Sequence, residues 1–410
     1  MRLLVVSQYF WPENFRINDL VAEMVSRGHE VTVLTGKPNY PEGNIFPEFA
    51  KAAAEFSHFA GADIVRLPML PRGKGNFRLA LNYLSFALAG VCLSPFLLRG
   101  RRFDAIFVCL LSPVTSALPA VVMRRLRRIP SVVWVLDLWP QSLEAVGVLK
   151  SKRALALVAR LVGYIYRHSD RILGQSKSFV SEISRYLSDN SRVDYFPSWS
   201  ETAFAPEDVL PAAEIPVRSD LFNIVFTGNV GDAQDFPSIL AAAESLREDP
   251  IRWIIVGDGR KADWLKAEIV RRQLESSVVM IGRFPLNRMA SFYAHADALL
   301  VSLRADPIFA MTIPAKVQAY LNASRPILAM LDGDGADVVR AADVGYAVPA
   351  GDWNGLVEAI RRLAAASPAE RARLSQNGLA YSAREFDRAT LMTRLEENLI
   401  ALASAKSAGR

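Results

Sequence analysis

The feature that most constrains this chain is a repeated pairing of a short apolar run, a turn, and a helix-spaced stretch. Residues 2–7 read RLLVVS, apolar enough for a strand covered on both faces. After a loop at 8–15, apolar positions recur at helical spacing over 18–27. Gly28 stops that pattern, and 30–35 (EVTVLT) is a second strand. A strand–helix–strand unit of this kind demands a parallel sheet with helices on its faces. The same grammar predicts strands at 64–67, 104–109, 131–136 and 170–174. Residues 201–220 carry prolines and acidic residues without periodicity and read as a linker. A second series follows, with strands at 222–227, 253–256, 278–281, 298–302 and 326–329 and helices at 238–247 and 261–274.

Two such series without an internal sequence period predict two doubly wound α/β domains. The expected division is 1–200, a linker at 201–220, 221–387, and a helix within 388–410 that returns toward the first domain. A content of 51% hydrophobic and 22% charged residues over 410 positions excludes disordered and low-complexity classes. The cysteines, Cys92 and Cys109, lie in apolar runs, which excludes a disulfide scaffold and a cysteine-based zinc module. His29, His58, His168 and His295 are not at ligand spacing, so no metal centre is expected. A formal charge of +6 does not imply nucleic acid; it suits anionic ligands or an anionic membrane surface. The apolar start at 1–7 runs into Pro12-Glu13 without cleavage-type small residues, so a first strand and no signal peptide is expected.

Residues 79–98 are nearly long enough to span a bilayer and are followed by Arg99, Arg101 and Arg102. Asn82, Ser85, Ser94 and Pro95 interrupt the run, which predicts a buried or surface-docked helix rather than a spanning one. Basic clusters at 124–128 and 150–153 read either as solvated helix ends or as contacts to anionic lipid headgroups.

Four segments of the second half carry the chemistry. Gly228-Asn229-Val230-Gly231 follows a strand, where glycines allow close backbone approach to a ligand or simply make a tight turn. Val256-Gly257-Asp258-Gly259 ends another strand, and Asp258 is a ligand contact or a turn former. Arg283 lies just past a third strand, a natural place to meet an anion. Thr312-Ile313-Pro314-Ala315-Lys316-Val317-Gln318 predicts a helix capped by Thr312, with Lys316 about a turn in. Together they predict a phosphate or diphosphate cradle.

With these segments in order, the chain resembles the retaining, nucleotide-sugar-dependent glycosyltransferases of GT-B fold, family four or group one. The likeness covers nearly the whole chain. It includes residues 27–35 (RGHEVTVLT), the turn at 228–231, 256–259, Gly282 followed by Tyr293 to Asp297, and Ser324-Arg325-Pro326. Residues 8–14 (QYFWPEN), 37–43 (KPNYPEG) and 137–140 (DLWP) are similar to one branch, the N-acetyl-fucosamine transferases of bacterial O-antigen and capsule clusters.

The resemblance implies two Rossmann-like domains facing a cleft. It also implies transfer of a sugar from a nucleotide donor, UDP-linked, to a lipid-linked acceptor saccharide, with retention and without metal or cofactor. The location implied is cytoplasmic, on the inner face of the bacterial plasma membrane. Gly228, Asn229, Gly231, Asp258, Gly259, Arg283, Thr312, Ile313, Pro314 and Gln318 are the expected donor contacts. Lys316 stabilises the leaving diphosphate, and Asp137 orients an acceptor hydroxyl or caps a turn. Glu13, Asn14, Arg16 and Asn18 are expected to bind the acceptor. Met311 and Ala319 occupy positions where the family usually carries paired glutamates, and Asn229 stands where it carries arginine. An epimerase of the same fold, or an inactive partner in a polysaccharide assembly complex, is the alternative.

Overall fold

The computed structural model describes residues 1–145, 147–149, 151–200 and 209–408. Lys150 of the second basic cluster and 201–208 of the expected linker lie outside the described residues. The chain forms two compact units, Met1–Phe196 together with Ala389–Arg410, and Pro197–Arg388.

The first unit is built on an eight-stranded sheet. Its strands are β1 (Arg2–Val6), β2 (Glu30–Thr35), β3 (His58–Phe59), β4 (Ala62–Arg66), β5 (Ala105–Leu110), β6 (Ser131–Val135), β7 (Arg171–Gly174) and β8 (Val193–Tyr195). Their order is β3-β4-β2-β1-β5-β6-β7-β8, parallel throughout except for the β3–β4 pair. The central strands β1, β5 and β6 are apolar along almost their whole length because both faces are covered; every residue of β5 and β6 is buried. The strands the sequence left unmarked, β3 and β8, are two and three residues long and sit at the two edges.

The second unit carries a six-stranded parallel sheet. Its strands are β9 (Phe222–Thr227), β10 (Ile251–Val256), β11 (Val278–Gly282), β12 (Ala298–Ser302), β13 (Ile327–Met330) and β14 (Gly345–Val348), in the order β11-β10-β9-β12-β13-β14. Phe226, Phe236, Leu240, Trp253, Leu265, Leu300 and Ile360 meet in its core. Edge strand β14 (GYAV) is only partly buried and lacks the apolar run that marks the others.

The helix Arg388–Ala408 belongs to the first unit from Ala389 onward. The Arg27 guanidinium donates to Glu396 at 3.0 Å, to Thr393 Oγ1 at 2.9 Å and to the Ala389 carbonyl, and His29 Nε2 lies 2.7 Å from Glu396. The Arg27-Gly28-His29 segment thus fastens the last helix to the sheet.

The apolar run forms the helix Asn76–Leu97, long and apolar enough by composition to cross a membrane. Phe86, Ala87 and Gly90 face the unit, and a Cβ on Gly90 would lie 2.2 Å from Pro119, so the helix packs closely there. The other side leaves Phe77, Leu84, Leu88 and Phe96 more than half exposed. Asn82 is buried and donates to the Leu70 carbonyl at 2.7 Å, which explains a polar residue in the middle of the run.

Asp170, just before β7, binds Arg124 through two bonds of 2.7 and 2.8 Å and accepts the Ser131 N–H at 2.9 Å. Burial alone would raise its carboxyl, but these donors hold it below the ordinary range. A depressed folded-state value contributes stability above the unfolded value that is lost as pH falls through the folded one. Asp170→Asn is expected to destabilise the protein at neutral pH by about 1–3 kcal/mol in urea unfolding. The gap should close below about pH 4; a gap unchanged in acid contradicts this assignment.

Candidate active site

The chain runs from β9 outward through β10 to β11, then crosses back to β12 on the other side of β9, so the strand order reverses between β9 and β12, the point at the carboxyl edge of such a sheet where a crevice is expected. Open α/β sheets place ligands in such crevices. Two bonds fix its walls: the Arg304 N–H to the Ala233 carbonyl at 2.9 Å, and Ser302 Oγ to the Gln234 carbonyl at 2.6 Å.

Glycines let the adjacent β9 and β10 loops touch. A Cβ on Gly257 would stand 1.8 Å from the Gly228 carbonyl oxygen, and one on Gly259 2.3 Å from that of Val230. Gly228 has φ +122°, a conformation that favours glycine, and a Cβ there would meet Lys316 Cε at 2.7 Å. The Gly231 N–H donates to Gln234 Oε1 at 3.2 Å, which also accepts from Asn229 Nδ2 at 3.3 Å. Gly228, Asn229 and Gly231 therefore shape one wall.

Lys316 lies across this wall. Its ammonium nitrogen sits 3.6 Å from the centroid of the Phe226 ring, and no carboxylate pairs with it among the described residues. Removal from water lowers its pKa to about 7. Below it, the Thr227 N–H donates to Tyr320 Oη at 3.0 Å, and Thr227 Oγ1 is 3.3 Å from Tyr293 Oη. This buried network closes the end of β9 and holds Tyr320, one turn beyond Lys316 on the same helix.

Other expected residues fall elsewhere. Thr312 is not the cap: the helix runs Ala315–Leu321 with Pro314 at its N-cap, and the Thr312 hydroxyl donates to the Phe309 carbonyl at 2.9 Å, closing the preceding turn. Ile313 is buried, and Pro314 packs close to Gly335. Gln318 is 2% exposed and its amide donates to the Ser198 carbonyl at 2.8 Å, so it is a structural strut rather than a donor contact. Asp258 folds back to accept the Gly259 N–H at 2.8 Å, the turn-forming role. Arg283 is exposed just past the end of edge strand β11, two strands from β9. Two cations missed in the sequence lie in the loops after the strands that flank β9: Arg304, two residues past β12 and 3.7 Å from Asp306, and Lys261, whose backbone N–H bonds the Val230 carbonyl and whose ammonium is 3.1 Å from Asp232. Position just beyond a strand's carboxyl end was the available signal for Arg304.

In the first unit, Glu13 is buried and accepts the N–H groups of Asn39 and Tyr40 at 2.8 Å each and of Phe10 at 3.2 Å. Burial pushes its pKa up to about 6. Asn18 is likewise internal, donating to the Glu13 carbonyl at 2.7 Å and accepting from the Trp11 N–H at 3.1 Å. Both were expected to meet the acceptor; instead they satisfy backbone groups that the turning loop would otherwise leave unpaired. Asn14 is exposed and makes no hydrogen bond among the described residues, and Arg16 is partly buried. The same loops carry an aromatic group absent from the sequence reading: Tyr9, Phe15 and Tyr40, with ring centroids 5.2–5.6 Å apart and Arg72 over Tyr40.

Asp137 accepts from Ser142 Oγ with one oxygen and from Trp139 Nε1 with the other, at 3.2 Å; that indole also reaches Ser112 Oγ at 3.2 Å. Of the two roles expected for Asp137, these contacts are those of the turn cap: the carboxylate holds its own loop at 137–142 by taking a hydroxyl and an indole N–H.

Residues 14–199 match the glycosyl transferase 4-like domain, and residues 222–366 match the glycosyl transferases group 1. The chain is 26% identical to a probable glycosyltransferase of Pseudomonas aeruginosa, WbjE, over 97% of its own length and 100% of that protein. It is 27% identical to the putative colanic acid biosynthesis glycosyl transferase WcaI of Escherichia coli K12, over 63% of this chain and 66% of that one. Among solved structures, sucrose-phosphate synthase from Thermosynechococcus elongatus superimposes with a TM-score of 0.70 at 15% identity, over 98% of this chain and 99% of that one. HepE from Anabaena in complex with UDP gives 0.69 at 13% identity, over the same shares. Fold and sequence together define a GT-B glycosyltransferase. The chain carries a glycosyl transferase 4-like domain followed by a group 1 glycosyl transferase domain.

A lysine with a pKa near 7 is half charged at neutrality and must gain its proton to meet a diphosphate. UDP affinity is therefore expected to fall about fivefold between pH 7 and 8 in equilibrium titration, and this dependence should vanish in Lys316→Met. An identical pH profile in the variant removes Lys316 from the site.

Proposed function

We propose that this glycosyltransferase moves a sugar from a UDP-linked donor to a lipid-linked saccharide during surface polysaccharide assembly, with retention and without a metal. The observation that carries the donor half is Lys316, a desolvated ammonium laid across Gly228 beside the crevice of the group 1 domain. An ammonium in a dry, pre-formed setting stabilises the charge that develops on a leaving diphosphate without reorganising solvent. Arg304 and Lys261, in the loops after the strands that flank β9, are assigned to share that charge. Arg283, past edge strand β11, is assigned to the nucleoside end. The structural neighbour crystallised with UDP supports the nucleotide, and the names of WbjE and WcaI support a polysaccharide context. Likeness to the N-acetyl-fucosamine transferases makes an N-acetylated deoxy-hexosamine the donor sugar to try first.

Acceptor recognition is assigned to the first unit, to Asn14, Arg16 and the aromatic group of Tyr9, Phe15 and Tyr40. Asp137 acts as a positioning residue that fixes Trp139. Met311 and Ala319 offer no carboxylate where the family has two, the observation that favours an inactive partner in an assembly complex.

Labelled UDP-sugar incubated with a lipid-linked acceptor separates the readings. Transfer of label to the acceptor is expected. Isomerised donor without an acceptor points to an epimerase, and binding without consumption to an inactive partner. Lys316→Ala should cost about 2–4 kcal/mol of transition-state stabilisation, and near-normal turnover would exclude it. Asp137→Asn should lower the melting temperature while turnover per folded molecule falls less than about tenfold.

The site of action is the inner face of the plasma membrane, in the cytoplasm. Helix Asn76–Leu97 presents Phe77, Leu84, Leu88 and Phe96 outward, and Arg99, Arg101 and Arg102 follow it. An apolar face flanked by arginines suits the interface of an anionic bilayer. Co-sedimentation should favour anionic over neutral vesicles, weaken in high salt, and drop sharply for Leu84→Ser/Leu88→Ser. Equal, salt-insensitive recovery on both vesicle types rejects the electrostatic contribution.

A further inference from the structure

The loop 36–46 runs between β2 and the helix Pro47–Lys51 without helix or strand of its own, so the place of Tyr40 depends on a few bonds to its neighbours. Two charged side chains of the first unit supply them. The Glu13 carboxylate takes the Asn39 and Tyr40 N–H groups on one oxygen, at 2.8 Å each, and the Phe10 N–H on the other, at 3.2 Å. From β4, the Arg66 guanidinium gives to the Gly36 carbonyl at 2.8 Å and to the Trp11 carbonyl at 2.7 Å. Each of the two groups thus holds the loop after β1 with one hand and the loop after β2 with the other. The loops touch at Gly36, whose N–H bonds the Gln8 carbonyl at 3.1 Å and where a Cβ would lie 2.9 Å from that oxygen.

Tyr9 and Phe15 belong to the first of these loops and Tyr40 to the second. The Tyr40 ring lies 5.6 Å from Tyr9 and 5.2 Å from Phe15. Tyr9 is buried, whereas Tyr40 is 38% exposed and offers its ring to a ligand. We propose that Glu13 is a positioning residue for the acceptor: by bonding the Tyr40 N–H with one oxygen and the Phe10 N–H, next to Tyr9, with the other, it sets the spacing of the Tyr9, Phe15 and Tyr40 group and with it the affinity for the acceptor saccharide. This rests on the assignment of that aromatic group to the acceptor.

Only an ionised carboxylate serves both loops. A protonated carboxyl, or the amide of a glutamine, turns one of the two acceptors into a donor, which then faces a backbone N–H. One loop is released whichever oxygen is lost. Burial raises the Glu13 pKa to about 6 against the pull of its backbone N–H partners and of Arg66 on β4. The loop after β2 presents backbone N–H groups to it, and Tyr9, on its own loop, is the titratable side chain that feels its charge. An acceptor that selects the ionised form therefore binds more weakly as the pH falls through about 6.

The test measures, by fluorescence anisotropy, binding of a labelled short-chain polyprenyl diphosphate carrying one N-acetylhexosamine. It compares the full-length protein with Tyr40→Ala, Glu13→Gln and the double variant. A diphosphate esterified at both ends gains no proton in the range used. At about pH 7.5 each single variant is expected to weaken binding at least about tenfold, and the double variant no further than Tyr40→Ala. Between about pH 7.5 and 5.5 the parent should lose about three- to fourfold in affinity, and neither single variant should lose any. Additive losses in the double variant, or a pH loss that persists in Tyr40→Ala, overturn the proposal. So does a Glu13→Gln protein that melts cooperatively and binds as the parent does while Tyr40→Ala is weakened; the acceptor assignment then stands. A Tyr40→Ala protein that binds as the parent does, or a parent that does not bind, overturns the acceptor assignment and the role of Glu13 with it. Should Glu13→Gln fail to melt cooperatively, the pH profiles of the parent and Tyr40→Ala decide: a loss confined to the parent upholds the proposal, and a parent without one overturns it.

Discussion

A parallel strand that stops leaves its last N–H and C=O groups facing the sheet edge with nothing to pair with, and how this chain meets that requirement organises both units. In the first unit one carboxylate, Glu13, takes the N–H groups of Phe10, Asn39 and Tyr40 and so ties the loop after β1 to the loop after β2. In the second, the Gly228 N–H bonds the Val256 carbonyl and the Thr227 N–H bonds a tyrosine hydroxyl. Each solution is polar, buried and short-range, and each leaves the outer surface of the loop available. In the second unit the end of β9 is thus satisfied from within, beside Lys316.

That division also explains what could be read from the residues in advance. Strands covered on both faces declare themselves, since an all-apolar run such as AIFVCL or FNIVFT has few other uses. Three of the four edge strands do not: HF, VDY and GYAV gain their strand character from a neighbour's unpaired backbone, not from their own composition, whereas edge strand β11 (VVMIG) is apolar enough to be read. Helix starts were legible to within a few residues, but the Thr312 hydroxyl found a nearer acceptor in Phe309 and left the cap to Pro314.

Site residues were legible where geometry alone decides. Gly228, Gly257 and Gly259 are demanded by backbone contacts that any side chain would obstruct. Lys316 was visible because it lies about a turn into a predicted helix, whose amino end favours an anion; its place against Gly228 was not. The polar residues of the first unit were not, because Glu13, Asn18 and Asp137 look the same in sequence whether they face a ligand or a backbone N–H. Only the three-dimensional count of donors around each carboxylate or amide tells which. The aromatic group of Tyr9, Phe15 and Tyr40 escaped for the complementary reason: its members are distant in the chain and meet only when two loops are tied together.

The setting of Lys316 has a consequence for selectivity among cellular anions. A lysine that is fully charged at neutrality attracts any small anion that reaches it. Resting over the Phe226 ring with its proton only half retained, this residue attracts little by itself. Any anion that settles beside the amine favours its charged form, so anion and proton bind there together, and the coupling grows with the charge the anion carries. A more highly charged group thus gains more from this proton than a monovalent ion does, and the proton leaves again when the anion departs.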